Sequence, residues 1–108
     1  MVKIWIDDVR PAPTGYVHVV SVNQAKKMIQ NLEKLYAATH KSEYQIEILD
    51  MDHDAGDFAS QGGDYVRLLD WLERSNRNYP IRIHSMNPIG VANMRAIIQH
   101  NGWTEVLN

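Results

Sequence analysis

Three short stretches of the chain concentrate side chains suited to metal, acid–base or phosphate chemistry. They are Asp7-Asp8 with Arg10, Asp52-His53-Asp54, and His84-Ser85 with Asn87. Asp7, Asp8 and Asp52 offer hard carboxylate oxygens, which suit magnesium, calcium or manganese, while the neighbouring histidines widen the range to manganese, iron or zinc. Paired aspartates also end strands and cap turns, so Asp7 and Asp8 alone read either way. A second acidic cluster after another strand strengthens the ionic reading, because mutual repulsion is costly without a cation or a shared proton. The expected cofactor is a divalent metal, magnesium or manganese.

His53 beside Asp54 offers an imidazole able to act as acid or base near neutral pH, with His84 as a second such group. A lone histidine after a strand is more often structural. Two on neighbouring strand ends fit a reaction that needs acid and base on opposite sides of phosphorus. Ser85 and Asn87 offer donors for phosphate oxygens, and the start of a helix at Pro88 adds free amides, although Ser-Met-Asn-Pro is also a good turn and cap sequence. Arg10 suits a bidentate grip on phosphate or an ion pair with Asp7 or Asp8.

The elements that must position these groups follow from local pattern. Residues 2–6 form a β-branched and aromatic run that stops at the two aspartates, as a central strand does at a polar rim. Pro11, Pro13 and Gly15 make 7–15 a loop. Residues 16–20 read as a second strand, of open direction because the loop is shorter than a usual helical crossover. Ser21 caps an amphipathic helix over 21–38, carrying Ala25, Met28, Ile29, Leu32, Leu35 and Tyr36. A strand over 44–49 leads into a polar, glycine-rich loop over 50–63, long enough to suggest function. Asp64 is expected to cap a helix with Val66, Leu68, Leu69 and Leu72 inward, ended by 76–80. Ile81-Arg82-Ile83 is a brief strand, Pro88 opens a helix that Gly102 closes, and 103–107 reads as a short last strand. Strands alternating with helices imply a mostly parallel sheet covered on both faces, whose ligands bind outside the strands' carboxyl ends.

Composition narrows the function classes. A chain of 108 residues suits one domain over 1–108. Its formal charge of -2 argues against a broad grip on extended duplex nucleic acid and leaves a small nucleotide or one RNA end as a partner. No apolar run approaches the roughly 20 residues of a membrane-spanning helix, so no membrane partner is expected. The amino terminus reaches Asp7 and Asp8 without the apolar stretch of a secretory signal, which makes the cytoplasm the expected location. Absence of cysteine excludes disulfides and thiolate metal sites.

With Ile4-Trp5-Ile6-Asp7-Asp8-Val9-Arg10-Pro11-Ala12-Pro13, Asp52-His53-Asp54-Ala55-Gly56-Asp57 and His84-Ser85-Met86-Asn87-Pro88 in order, the chain resembles the cyclic-phosphate processing receiver domain family. The resemblance implies an α/β, three-layer receiver-like (flavodoxin-like) sheet, mostly parallel, with the first crossover helix replaced by the proline-rich loop. It matches Asp7 and Asp8 to the metal-binding acidic pair of receivers, Asp52 to their phosphate-accepting aspartate, and Ser85 to the hydroxyl residue after the fourth strand. Two departures set the chain apart from signalling receivers: no lysine follows 103–107, and His53, Asp54 and His84 are additions.

The expected activity is a metal-assisted phosphoesterase acting on a cyclic phosphate, either a 2′,3′-cyclic RNA end or a small cyclic nucleotide. Asp7, Asp8 and Asp52 would hold the metal. His53, oriented by Asp54, would activate water, and His84 would protonate the leaving oxygen, with the two histidines interchangeable. Arg10, Ser85 and Asn87 would position the phosphate. The alternative is a receiver-like signalling or nucleotide-binding module without hydrolysis.

Overall fold

The computed structural model describes residues 1–107. Four parallel strands, β1 (Val2–Ile6), β2 (Tyr16–Val19), β3 (Ile46–Met51) and β4 (Ile81–Ile83), form one sheet in the order β2-β1-β3-β4. Three helices accompany it: α1 (Val22–Thr39), α2 (Val66–Arg74) and α3 (Pro88–His100). The fold is a receiver-like α/β arrangement. Its strand order reverses beside β1, so β1 and β3 diverge into loops at the switch point where such sheets bind ligands.

Parity along the strands separates two faces. Ile4, Ile6, Leu49, Met51 and Ile81 join one buried cluster with Ala25 and Ile29 of α1, Leu68 and Leu72 of α2, and Met94 and Ile98 of α3. All three helices therefore share that side, and the 7–15 loop rather than a helix covers the other, where a helical layer was expected. Trp5 and Asp50, which are register partners of opposite parity, face the other side. There the 7–15 segment lies against the sheet, pinned by Trp5 Nε1 donating to the Arg10 carbonyl at 3.0 Å. Successive crossovers on opposite faces are what a right-handed path requires when the chain steps first to one flank of β1 and then to the other.

The direction of β2, open from sequence, is parallel, and 7–15 contains no helix. A segment of this length spans up to ~30 Å extended, whereas retracing a five-residue strand takes about 16 Å. Short strands thus make a short parallel connection possible. Local signals at the helix starts hold: Ser21 Oγ accepts from the Gln24 amide, and Asn87 Oδ1 accepts from the Gly90 amide with Pro88 in the first turn.

Other boundaries shift. β3 extends through Met51, so Asp50 belongs to the strand rather than to the following loop. Asp64 does not cap α2; its carboxylate accepts from the Ala55 amide at 3.0 Å and braces the 52–63 loop instead. Residues 103–107 make a single parallel bridge, Ile81 to Glu105, and not a strand. Among the described residues no helix is long and apolar enough to cross a membrane.

Candidate functional site

Ile6 lies opposite Met51 in the β1–β3 register, and the Asp52 amide donates to the Ile6 carbonyl at 2.9 Å. Asp7 and Asp52 therefore leave adjacent strands at one level. Ligand oxygens of Asp7, Asp8 and Asp52 come within 4.8 Å of one another. Asp7 is fully buried, and its Oδ1 accepts from the amides of Val9 at 2.9 Å and Arg10 at 3.0 Å. Burial alone would raise its pKa, but these amides and the His84 ring outweigh it and hold the carboxyl below the usual range. Asp8 differs: burial, reinforced by the charges of Asp7, Asp52 and Asp54, pushes it up. Three oxygen donors with one member left uncompensated fit a hard divalent cation, which would remove that repulsion.

His84 stands between two carboxylates. Its Nε2 is 2.8 Å from Asp7 Oδ2 and its Nδ1 is 2.7 Å from Asp50 Oδ1, while its ring stacks on Trp5 at 3.8 Å and 3°. Two acceptors are satisfied together when both ring nitrogens carry hydrogen. Direct proton transfer from His84 to a leaving oxygen would require one of these bonds to break first. Strand parity is the reason, because Asp50 emerges on the same face as Trp5 and meets the ring there.

His53 is arranged differently. Its Nδ1 is 2.9 Å from Asp54 Oδ1, and its ring lies against Gly90 at the start of α3, where any Cβ would collide with it. Nε2 has no partner among the described residues. Arg10 donates through NH1 to the His84 carbonyl at 2.9 Å and lies 3.7 Å from Asp7, so it ties the first and third stretches together while its side chain stays 41% exposed. Ser85 Oγ accepts from the Asn87 amide, and Asn87 Oδ1 caps α3. The Ser85 hydroxyl hydrogen and the Asn87 side-chain NH₂ remain as donors.

Residues 2–100 match the family model described as the cyclic-phosphate processing receiver domain. The chain belongs to that family. No curated protein and no solved structure matches it significantly.

In this receiver domain several site neighbours lie outside the three stretches singled out from sequence. Asp50 sits in the apolar run Ile46-Glu47-Ile48-Leu49-Asp50-Met51, yet it is fully buried and contacts Tyr16 Oη at 3.1 Å and Arg82 at 3.2 Å besides His84. A charge at an inward strand position was the available clue. Tyr16 directs its hydroxyl to Asp50 and meets Trp5 edge-on. His18 Nε2 lies 2.7 Å from the Asp7 carbonyl, a contact that only the parallel placement of β2 creates. Gly56, with φ of 54°, passes so close to the Asp8 carboxylate that a Cβ there would force that carboxylate to move, which couples the 52–63 loop to the acidic cluster.

Proposed function

We propose that this receiver domain is a metal-assisted phosphoesterase that opens cyclic phosphates, a 2′,3′-cyclic RNA end or a small cyclic nucleotide. The observation that carries the reading is the meeting of three carboxylates from two strand ends; His53, next in sequence to Asp52, has one ring nitrogen held by Asp54 and the other without a partner among the described residues. Family membership supports the ligand class. Asp7, Asp8 and Asp52 would hold magnesium or manganese, which when bound neutralises charge developing on phosphorus.

The chain's own groups account for the remaining roles. With Nδ1–H donated to Asp54, His53 keeps the Nε2 lone pair for a proton and serves as general base toward water. As water's proton passes to His53 Nε2, the water oxygen bonds to phosphorus and one ring P–O bond breaks; the leaving oxygen takes a proton from solvent and His53 returns its own to solvent, giving a phosphomonoester. Arg10 retains guanidinium N–H groups beyond the one bonded to the His84 carbonyl, and these grip phosphate oxygens. The Ser85 hydroxyl and the Asn87 NH₂ add directional donors beside the first turn of α3. His84 is assigned to hold Asp7 rather than to protonate the leaving oxygen, in keeping with its two carboxylate partners.

Purified protein incubated with 2′,3′-cyclic nucleotides, cyclic-phosphate-ended RNA and 3′,5′-cyclic nucleotides, with and without magnesium or manganese, tests the proposal. Metal-dependent conversion of at least one class to a monoester is expected. Failure with every substrate and both metals would end the hydrolytic reading.

A further inference from the structure

We propose that Asp50 is a positioning residue of the metal centre, acting through His84 on Asp7; this rests on the reading of Asp7, Asp8 and Asp52 as metal ligands. Asp50 lies within β3, fully buried, on the sheet face away from the helices. A carboxylate in that place is costly unless it is paired and hydrogen-bonded. Partners reach it from both flanks: Tyr16 at the start of β2, Arg82 within β4, and His84 just past the end of β4. Tyr16 and Arg82 therefore hold Asp50, and Asp50 in turn holds the imidazole.

The ring has two carboxylate bonds and one stacking contact, so its plane and its nitrogens are assigned together. Trp5 sets the plane, and Asp50 on Nδ1 leaves Nε2 to face Asp7. Asp7 Oδ1 already accepts two backbone amides. Its Oδ2 accepts from His84, which leaves one lone-pair direction on that oxygen for a cation. The His84 bond selects that direction. Released from Asp50, the ring can turn over or tilt, and Asp7 loses the hydrogen bond that fixes its carboxylate beside Asp8 and Asp52. Partners that orient a metal ligand without touching the ion typically account for 10–100-fold in metal affinity.

The test is manganese binding to the full chain by calorimetry and by paramagnetic resonance, for the natural protein, Asp50→Asn and Tyr16→Phe, with circular dichroism as the fold check and ¹⁵N correlation spectra of the His84 ring. Asp50→Asn is expected to weaken manganese about tenfold or more and to alter the His84 Nδ1 signal. Tyr16→Phe should weaken manganese by a smaller factor, about twofold to threefold. Should Asp50→Asn fail to fold, Tyr16→Phe decides alone: unchanged affinity overturns the inference. A folded Asp50→Asn protein that binds manganese within twofold of the natural one also overturns it, as does a natural protein with no manganese affinity. If manganese binding depends on Asp50 while no cyclic phosphate is opened, the phosphoesterase reading falls and the role of Asp50 stands.

Discussion

At the amino-terminal end of the sheet, Glu33 accepts three hydrogen bonds from Arg77, between 2.9 and 3.1 Å, and another from the Tyr79 hydroxyl. At the carboxyl end, Asp8 stands among Asp7, Asp52 and Asp54, and burial, reinforced by their charges, raises its pKa. Burial would raise Glu33 as well, but Arg77 and Tyr79 hold it below its ordinary value. The acid that has an internal cation and the acid that lacks one thus move in opposite directions. A cleft of about 330 Å³ lined by Met1, Glu33, Tyr36, Tyr44, Ile46 and Tyr79 occupies the satisfied end. That cleft and the acidic cluster lie at opposite ends of the sheet. Uncompensated charge, not cavity volume, marks the proposed reactive end, because a group without a partner in the fold is the one whose partner must come from outside.

The contrast breaks most visibly if the proposed base is removed at the carboxyl end. His53→Gln is expected to lower turnover of a cyclic phosphate by about 10²–10⁴-fold while leaving manganese affinity within a factor of two, read by steady-state kinetics beside calorimetry. Gly90→Ala should act through the same ring, since the new methyl group occupies the His53 position. Displacing a reacting group by about 1 Å costs on the order of 10²-fold, and retention of full kcat would show that the ring's seat on α3 is immaterial.

At the other pole the expected effect is on stability alone. Glu33→Ala should cost about 1–3 kcal/mol in denaturant unfolding and leave both turnover and metal affinity unchanged. A parallel loss of metal affinity would mean that the two ends are coupled. The smallest effects concern pH. Glu33 has a depressed pKa, so its contribution is complete above the ordinary value of 4.5 and is lost as pH falls through the folded value; Glu33→Gln should flatten that acid limb. Asp8 has a raised pKa, so its contribution is complete below the ordinary value of 3.8 and is lost as pH rises through the folded value. Asp8→Asn should therefore raise the metal-free Tm at neutral pH by a few degrees, on the scale of roughly 1 kcal/mol or less, even as it weakens metal binding. A lower Tm in that variant would contradict the repulsion assigned to the acidic cluster.

Much of the fold was readable because its signals are local. The run Val2–Ile6, the Ser21 cap of α1 and the Asn87-Pro88 start of α3 each rest on residues a few positions apart. Placing Asp7, Asp8 and Asp52 at one rim needed only the general rule that parallel strands end on the same side, and their oxygens do meet. Asp64 was misread because a cap and a loop brace look alike in sequence; the Ala55 amide that it accepts from is nine positions away.

Residue types, the run of β1 and the Ser21 and Asn87 helix caps were thus determined by the sequence itself, since backbone preference and side-chain chemistry act over a turn or less. Only tertiary structure decided that β2 runs parallel, that Asp50 meets His84 across β3 and β4, and that both nitrogens of that ring are occupied while His53 keeps one open. Those outcomes depend on register and face between strands distant along the chain, and a one-residue change in either would send the same side chains to the opposite side of the sheet.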